Sequence, residues 1–126
     1  MEDLSYGFLI DNDIHFIIAY KKLLYYSDES DVSSMLFRVV SLNETQARLL
    51  LFLLENRKSE VIDKNYIMKS VWDEFGMSSS NQRLWQAINE LRKKFSAIGL
   101  SGDLITNVHG IGYSVDNRRV MSLFIK

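Results

Sequence analysis

The 126-residue sequence predicts an α+β fold: an N-terminal antiparallel β-sheet, then three helices, then a C-terminal β-hairpin. Three observations lead there. Residues 5–42 are dense in β-branched and aromatic side chains, broken by short polar stretches. From Asn43 the texture changes to good helix formers with apolar residues at helical spacing. Beyond Gly99 two short β-type runs flank Gly110-x-Gly112.

In order, the segments "SYGFLI", "DIHFIIAY", "KKLLYY" and "MLFRVVSL" read as strands of a sheet with a scaffold role. "DND" at 11–13 is a turn and "SDESDVSS" at 27–34 a polar loop. Asn43 can cap the helix "NETQARLLLFLLENR", with Gln46 three positions on to complete a capping box. Val61 and Ile62 form a short apolar step. Asp63 can cap a second helix, "KNYIMKSVWDEF", stopped by Gly76. Ser79 with Gln82 makes a capping-box pair for the third, "NQRLWQAINELRKKF". Gly99 and Gly102 end it, and "LITNVHGIGYSV" supplies the hairpin. Residues 1–117 form one domain in this reading, and residues 118–126 are a C-terminal tail or the start of a linker.

Composition removes several functional classes. Hydrophobic residues make up 47% and charged residues 25%, ordinary for a globular domain. Without cysteine there is no disulfide, thiolate metal site or cysteine nucleophile. With only His15 and His109, a zinc site would need carboxylates to complete it. No constellation of side chains suggests catalysis, so the reading is a non-enzyme with no cofactor, no metal and no small-molecule substrate. The net charge of −1 hides an asymmetry. Residues 1–40 hold seven acids and three bases, whereas residues 41–126 hold twelve bases and nine acids. A near-neutral total argues against a nonspecific polyanion binder but not against a local basic face. Acids follow Met1 at once and no apolar run approaches a membrane span, which points to a cytoplasmic protein.

The third helix carries the chemistry. On a wheel of about 100° per residue, Leu84, Ala87, Ile88, Leu91 and Phe95 gather on a core-facing side. The opposite side holds Gln82, Gln86, Asn89 and Lys93; Arg83 and Glu90 flank it on one edge, Trp85 and Arg92 on the other. Gln and Asn can pair bidentately with the adenine edge, and Lys and Arg with guanine or phosphate. The Ser-rich start presents a helix N-terminus suited to a phosphate. The plainer alternative is a solvated face, and Arg92-Lys93-Lys94 alone is what helix dipoles often attract. Two helices, a third amphipathic helix and a Gly-bearing hairpin make the chain order of a winged helix-turn-helix, in which the third helix enters the major groove beside the hairpin wing.

At "SLNETQARLLLFLLEN", "VIDKNYIMKSVW", "LWQAINELRKKF" and "ITNVHGIGYSV" the chain resembles the OmpR-type winged-helix DNA-binding domain, in particular its ToxR/CadC-like branch. The specific features are Trp72, the block Ile88-x-x-Leu91-Arg92-Lys93, and Gly110-x-Gly112-Tyr113. The resemblance implies a bacterial transcription regulator that binds promoter DNA sequence-specifically. Its implied DNA-binding residues are Gln82, Arg83, Trp85, Gln86, Asn89, Arg92 and Lys93 on the recognition helix, with Asn107, His109 and Gly110 in the wing. It further implies RNA polymerase as a partner through the loop 73–79 and a homodimer on repeated half-sites. If the chain continues, the domain would be the cytoplasmic part of a single-pass inner-membrane regulator.

Two positions depart from the family pattern. His109 and Ser114 stand where many relatives hold basic residues, which predicts weaker intrinsic DNA affinity. That departure, with the acidic first third, keeps open an alternative: a winged-helix protein–protein module acting on another regulator. Trp72 reads as core and His15 as structural. Trp85, about 90° from the core centre, fits either partial burial or a DNA or protein contact. His109 fits an exposed loop residue or a pH-sensitive contact.

Overall fold

The computed structural model describes residues 4–28 and 35–125. Strands β1 (Leu4–Ile10), β2 (Ile14–Ile17), β3 (Lys22–Asp28) and β4 (Met35–Ser41) form the expected N-terminal antiparallel meander. The β1–β2 turn puts Asp11 and Asn12 at positive φ, 53° and 67°. Asp and Asn tolerate that region better than other non-glycine residues. Most of the polar loop expected at 27–34 lies outside the described residues.

Alternation decides which face of this sheet is inner. Phe8 and Ile10 of β1, Ile14 and Phe16 of β2, and Leu23 of β3 are all buried. Phe8 and Phe16 are cross-strand partners whose rings stack at 6.4 Å. Against that face pack the helices α1 (Glu44–Glu55), α2 (Lys64–Val71) and α3 (Asn81–Ile98). One continuous core joins Leu49, Leu50 and Leu53 of α1 with Ile67 of α2 and Leu84, Ile88 and Leu91 of α3. Each such side chain contributes about 1.5–3 kcal/mol on burial.

Helix ends follow local chemistry. Asn43 caps α1 with Gln46 in the expected capping box, 2.8 Å and 2.9 Å. Asp63 caps α2 by accepting from the Asn65 and Tyr66 amides. That helix stops at Val71, four residues before the expected end. Trp72 caps the helix end with its ring buried and its amide still donating to the Met68 carbonyl, and its own carbonyl accepts from Phe75 and Met77 to form a 3-10 turn over Asp73–Phe75. Gly76 then terminates it in the left-handed region. The cap of α3 is Ser80, one residue later than expected. Its Oγ accepts from the Arg83 amide, whereas the Ser79 hydroxyl donates to Asp73 at 2.8 Å. The Ser79–Gln82 capping box therefore does not form, because Ser79 serves the preceding turn. Helix α3 also runs past residue 95 to bury Ile98.

The short apolar step at Val61–Ile62 becomes strand β5 (Ile62–Asp63). It pairs with β7 (Gly112–Val115), which pairs with β6 (Ile105–Val108), giving a second sheet in the order β5-β7-β6. This is the expected hairpin, docked on a strand between α1 and α2. The segment 118–126, expected as a tail, instead carries β8 (Val120–Ile125), which pairs with β1 as an outer strand of the first sheet. Its apolar run "VMSLFI" completes an edge that β1 would otherwise leave unpaired. Arg119, just before β8, holds the junction: its guanidinium forks onto Asp11 and reaches Asp103, each bond 2.7 Å.

Candidate nucleic-acid interface

The outward face of α3 is composed as the wheel implied. Leu84, Ile88, Leu91 and Phe95 are buried, while Gln82, Arg83, Trp85, Gln86 and Lys93 are exposed and Asn89 is half-buried. The amide stripe bears few internal bonds, so its donors and acceptors remain available to a partner. Ser80 and Arg83 shape the helix start: the Arg83 guanidinium folds back to donate to the Ser78 carbonyl at 2.8 Å. Lys93 pairs with Glu90 at 3.0 Å, with both side chains largely exposed. Such a pair is worth little in water and exchanges readily for another anion.

Arg92 is placed differently. It lies half-buried on the edge of α3 that meets the wing. Its Nη2 donates to the Ile105 carbonyl at 2.6 Å and to Asn107 Oδ1 at 3.0 Å. Two residues expected at the interface, Arg92 and Asn107, thus engage each other, binding α3 to β6. Tyr113 secures the same strand pair from within. It is buried, opposite Ile62 on one side and Asn107 on the other. Burial pushes its phenol pKa up, against a smaller opposing pull from the Arg92 charge.

The wing tip is built by two glycines with different duties. Gly110 adopts φ +76° in open space, the backbone conformation of the bend. Gly112 faces β5 so closely that an added Cβ would lie 1.9 Å from the Ile62 carbonyl oxygen. His109 beside them is exposed, as are Asn107 and Ile111.

Between the start of α3 and the wing lies a groove of about 530 Å³, lined by Gln82, Trp85, Asn107, His109 and Gly110. A second groove of about 450 Å³ follows α3 along Trp85, Gln86, Asn89 and Lys93. Together they bring together every expected site residue except Arg83 and Arg92, which sit on the flanks. Among the further lining residues that sequence reasoning did not assign to the site are Lys64 and Asn81. Lys64 follows the α2 cap, and only the pairing of Asp63 with Gly112 brings it beside the wing. Asn81 opens α3, where its position ahead of the amide stripe was a usable signal.

The loop 73–79 lies apart from both grooves. Its Phe75 is exposed and packs under the Arg48 guanidinium, 3.6 Å from ring centre. A cleft of about 280 Å³ beside it is lined by Phe16, Ile18, Ala47, Arg48 and Leu51. Residues of the N-terminal sheet line neither groove of the α3 face. No group of three or more His, Asp or Glu side chains among the described residues has metal-binding spacing. Among the same residues no helix is long and apolar enough to cross a membrane.

With this geometry established, likeness to known proteins is specific. Residues 38–115 match the family described as "Transcriptional regulatory protein, C terminal". Over 77 residues the chain is 35% identical to the "Cholera toxin homolog transcriptional activator" of Vibrio parahaemolyticus serotype O3:K6, covering 61% of this chain. The chain spans only 26% of that relative's length. Its fold resembles the DNA-binding domain of Escherichia coli CadC at TM-score 0.68 and 18% identity, covering 95% of this chain and 98% of that one. It likewise resembles the response regulator AdeR DNA-binding domain in complex with an intercistronic region, at TM-score 0.63 and 17% identity, covering 83% and 95%. The Klebsiella pneumoniae RstA DNA-binding domain in complex with the RstA box gives TM-score 0.57 and 16% identity, covering 91% and 97%.

Proposed function

The chain belongs to the family of C-terminal domains of transcriptional regulatory proteins, and from that premise we propose that it binds duplex promoter DNA sequence-specifically and regulates transcription. In this reading α3 enters the major groove and the β6–β7 wing lies alongside. The carrying observation is the outward stripe of exposed Gln82, Gln86 and Lys93 with half-buried Asn89, flanked on the wing side by a groove that ends at His109. Amides at these positions suit adenine edges, and the cation suits guanine or phosphate. That AdeR and RstA domains of this fold occur in complex with DNA supports the reading.

Finer elements belong to the same proposal. Arg83, Trp85, Arg92 and Asn107 flank the reading surface, and Gly110 brings the wing backbone close to it. The loop 73–79, with exposed Phe75, is the surface for RNA polymerase. The domain works where the chromosome is, as a pair of copies on repeated half-sites, since one small module buries little surface on DNA.

A second reading, a protein–protein module acting on another regulator, is favoured by one observation: the wing presents His109 and Ser114 rather than fixed cations. A gel-shift assay against promoter fragments with a salt titration separates the two. Asn89→Ala with Lys93→Ala should weaken specific binding while leaving the melting curve unchanged. A double variant that binds DNA as the unaltered protein does would overturn the recognition-face assignment. A salt-independent shift would count against phosphate contact altogether.

A further inference from the structure

The two grooves on the α3 face share one wall, and that wall is Trp85. Its side chain is 56% exposed, whereas the other tryptophan, Trp72, is 1% exposed. The sequence left burial and contact equally open for Trp85, and the structure places it outside the core. On α3 it stands among amides, with Gln82 one turn before it, Asn89 one turn after and Gln86 beside it, while exposed Ile111 of the hairpin lines the same first groove. A large apolar ring among amides gains most when an apolar partner removes it from water.

The major groove of B-DNA offers few such partners. Base edges there are donors and acceptors, and the apolar exception in unmodified DNA is the thymine C5-methyl group. The residues around Trp85 bear on the same base pair type. Gln86 and Asn89 carry the amides that match adenine N6 and N7. A face that reads adenine with amides and thymine with an indole is chemically consistent along an A·T-bearing step.

We infer that Trp85 is a specificity-determining residue that selects thymine by packing its indole against the C5-methyl group. The inference rests on the DNA-binding reading and deepens it: the half-site contains thymine at the position Trp85 covers, flanked by A·T pairs read by Gln86 and Asn89. Trp85 discriminates thymine from cytosine and uracil by the methyl group rather than by a hydrogen bond.

The test uses duplexes enriched from a random library, with each thymine replaced singly by deoxyuridine, which removes only the methyl group. The unaltered protein should lose about fourfold in affinity at one or two positions, the equivalent of one buried carbon. Trp85→Ala should bind the thymine and deoxyuridine forms equally at those positions, and Trp85→Phe should keep the preference. Acrylamide gives an independent readout. It reaches exposed Trp85 but not Trp72, so the quenching of the chain should fall when DNA binds. Indifference of the unaltered protein to every deoxyuridine replacement would overturn the proposal. So would an undiminished preference in Trp85→Ala, or quenching that DNA leaves unchanged. Failure to enrich any duplex would overturn the DNA-binding reading itself, a distinct result.

Discussion

Arg92 on α3 is bonded to Asn107 on β6, Nη2 to Oδ1 at 3.0 Å, while the same nitrogen donates to the neighbouring Ile105 carbonyl at 2.6 Å. A cation that sequence likeness associates with DNA is therefore engaged within the protein. Helix α3 and strand β6 are held as one unit, so the groove between them has a defined width before any ligand arrives. Preformed geometry of this kind lowers the cost of association.

Replacing that guanidinium should loosen the wing before it alters charge contacts. Arg92→Ala is expected to cost about 1–2 kcal/mol of stability and to speed amide exchange in β6. Both bonds leave one nitrogen, so Arg92→Lys, whose ammonium also carries several donors on one nitrogen, should retain more of this stability than Ala. In DNA titrations both should weaken affinity with little change in the log K against log salt slope. A slope reduced by about one for Arg92→Ala would instead identify Arg92 as a phosphate contact.

At the wing tip, His109→Arg adds a fixed positive charge to an exposed position. The variant should tighten DNA binding and steepen the salt slope by about 0.9. An unchanged slope in fluorescence anisotropy would mean the wing tip stays off the phosphates.

The two wing glycines should respond unequally to a methyl group. At Gly110 the cost is conformational, about 1 kcal/mol for a left-handed residue with nothing near its Cβ. At Gly112 the methyl would strike the Ile62 carbonyl and force β5 and β7 apart. Gly112→Ala is expected to cost about 3 kcal/mol. Chemical denaturation of the two variants checks the order, and equal midpoints would contradict it.

Arg119 joins three segments far apart in sequence, and its side chain is only 20% exposed. The bidentate bond to Asp11 and the further bond to Asp103 raise its already high pKa, so it stays charged at every accessible pH. Arg119→Ala should cost about 2 kcal/mol, since hydrogen bonds to charged groups exceed neutral ones. A melting temperature within error of the unaltered protein would show that the clasp is only geometric.

Acid should weaken the same region. The Ser101 hydroxyl and then Arg119 hold the Asp103 carboxyl below its ordinary pKa, and Arg118 does the same for Asp116. A carboxyl with a lowered folded pKa stabilises the fold above its unfolded value, about 3.9, and loses that contribution as pH falls through the folded value. Melting temperature should hold from about pH 7 to about pH 5 and then fall toward about pH 3. Asp103→Asn should flatten part of that fall.

The elements that were legible in the sequence have local causes. Density of β-branched and aromatic residues marked the four N-terminal strands, and Asn43 with Gln46 marked the start of α1 as the structure has it. The core and outer faces of α3 followed from spacing alone. What was not legible depends on partners distant in sequence. Ser79 lost the cap of α3 to Ser80 because Asp73 took its hydroxyl. Residues Val120–Ile125 became a strand because β1 offered an edge, a fact that no local pattern in "VMSLFI" reports. Lys64 reached the candidate interface through the β5–β7 pairing, and Arg92 turned inward through the position of β6. Side-chain type was readable at each position; the neighbour that uses it was not.

The pairing of β8 with β1 has a mechanical consequence. Leu4 lies opposite Ile125, so both ends of the described chain leave the fold side by side along one sheet edge. Strands pulled apart from adjacent ends open one hydrogen bond at a time, like a zipper, rather than resisting together in shear. Tension between the two ends would therefore peel β8 away as far as Val120, where the next attachment is the Arg119 clasp on Asp11 and Asp103. Below the force that breaks this clasp, strain applied at the ends stops short of the hairpin that β6 and β7 form, and the outward face of α3 keeps its shape.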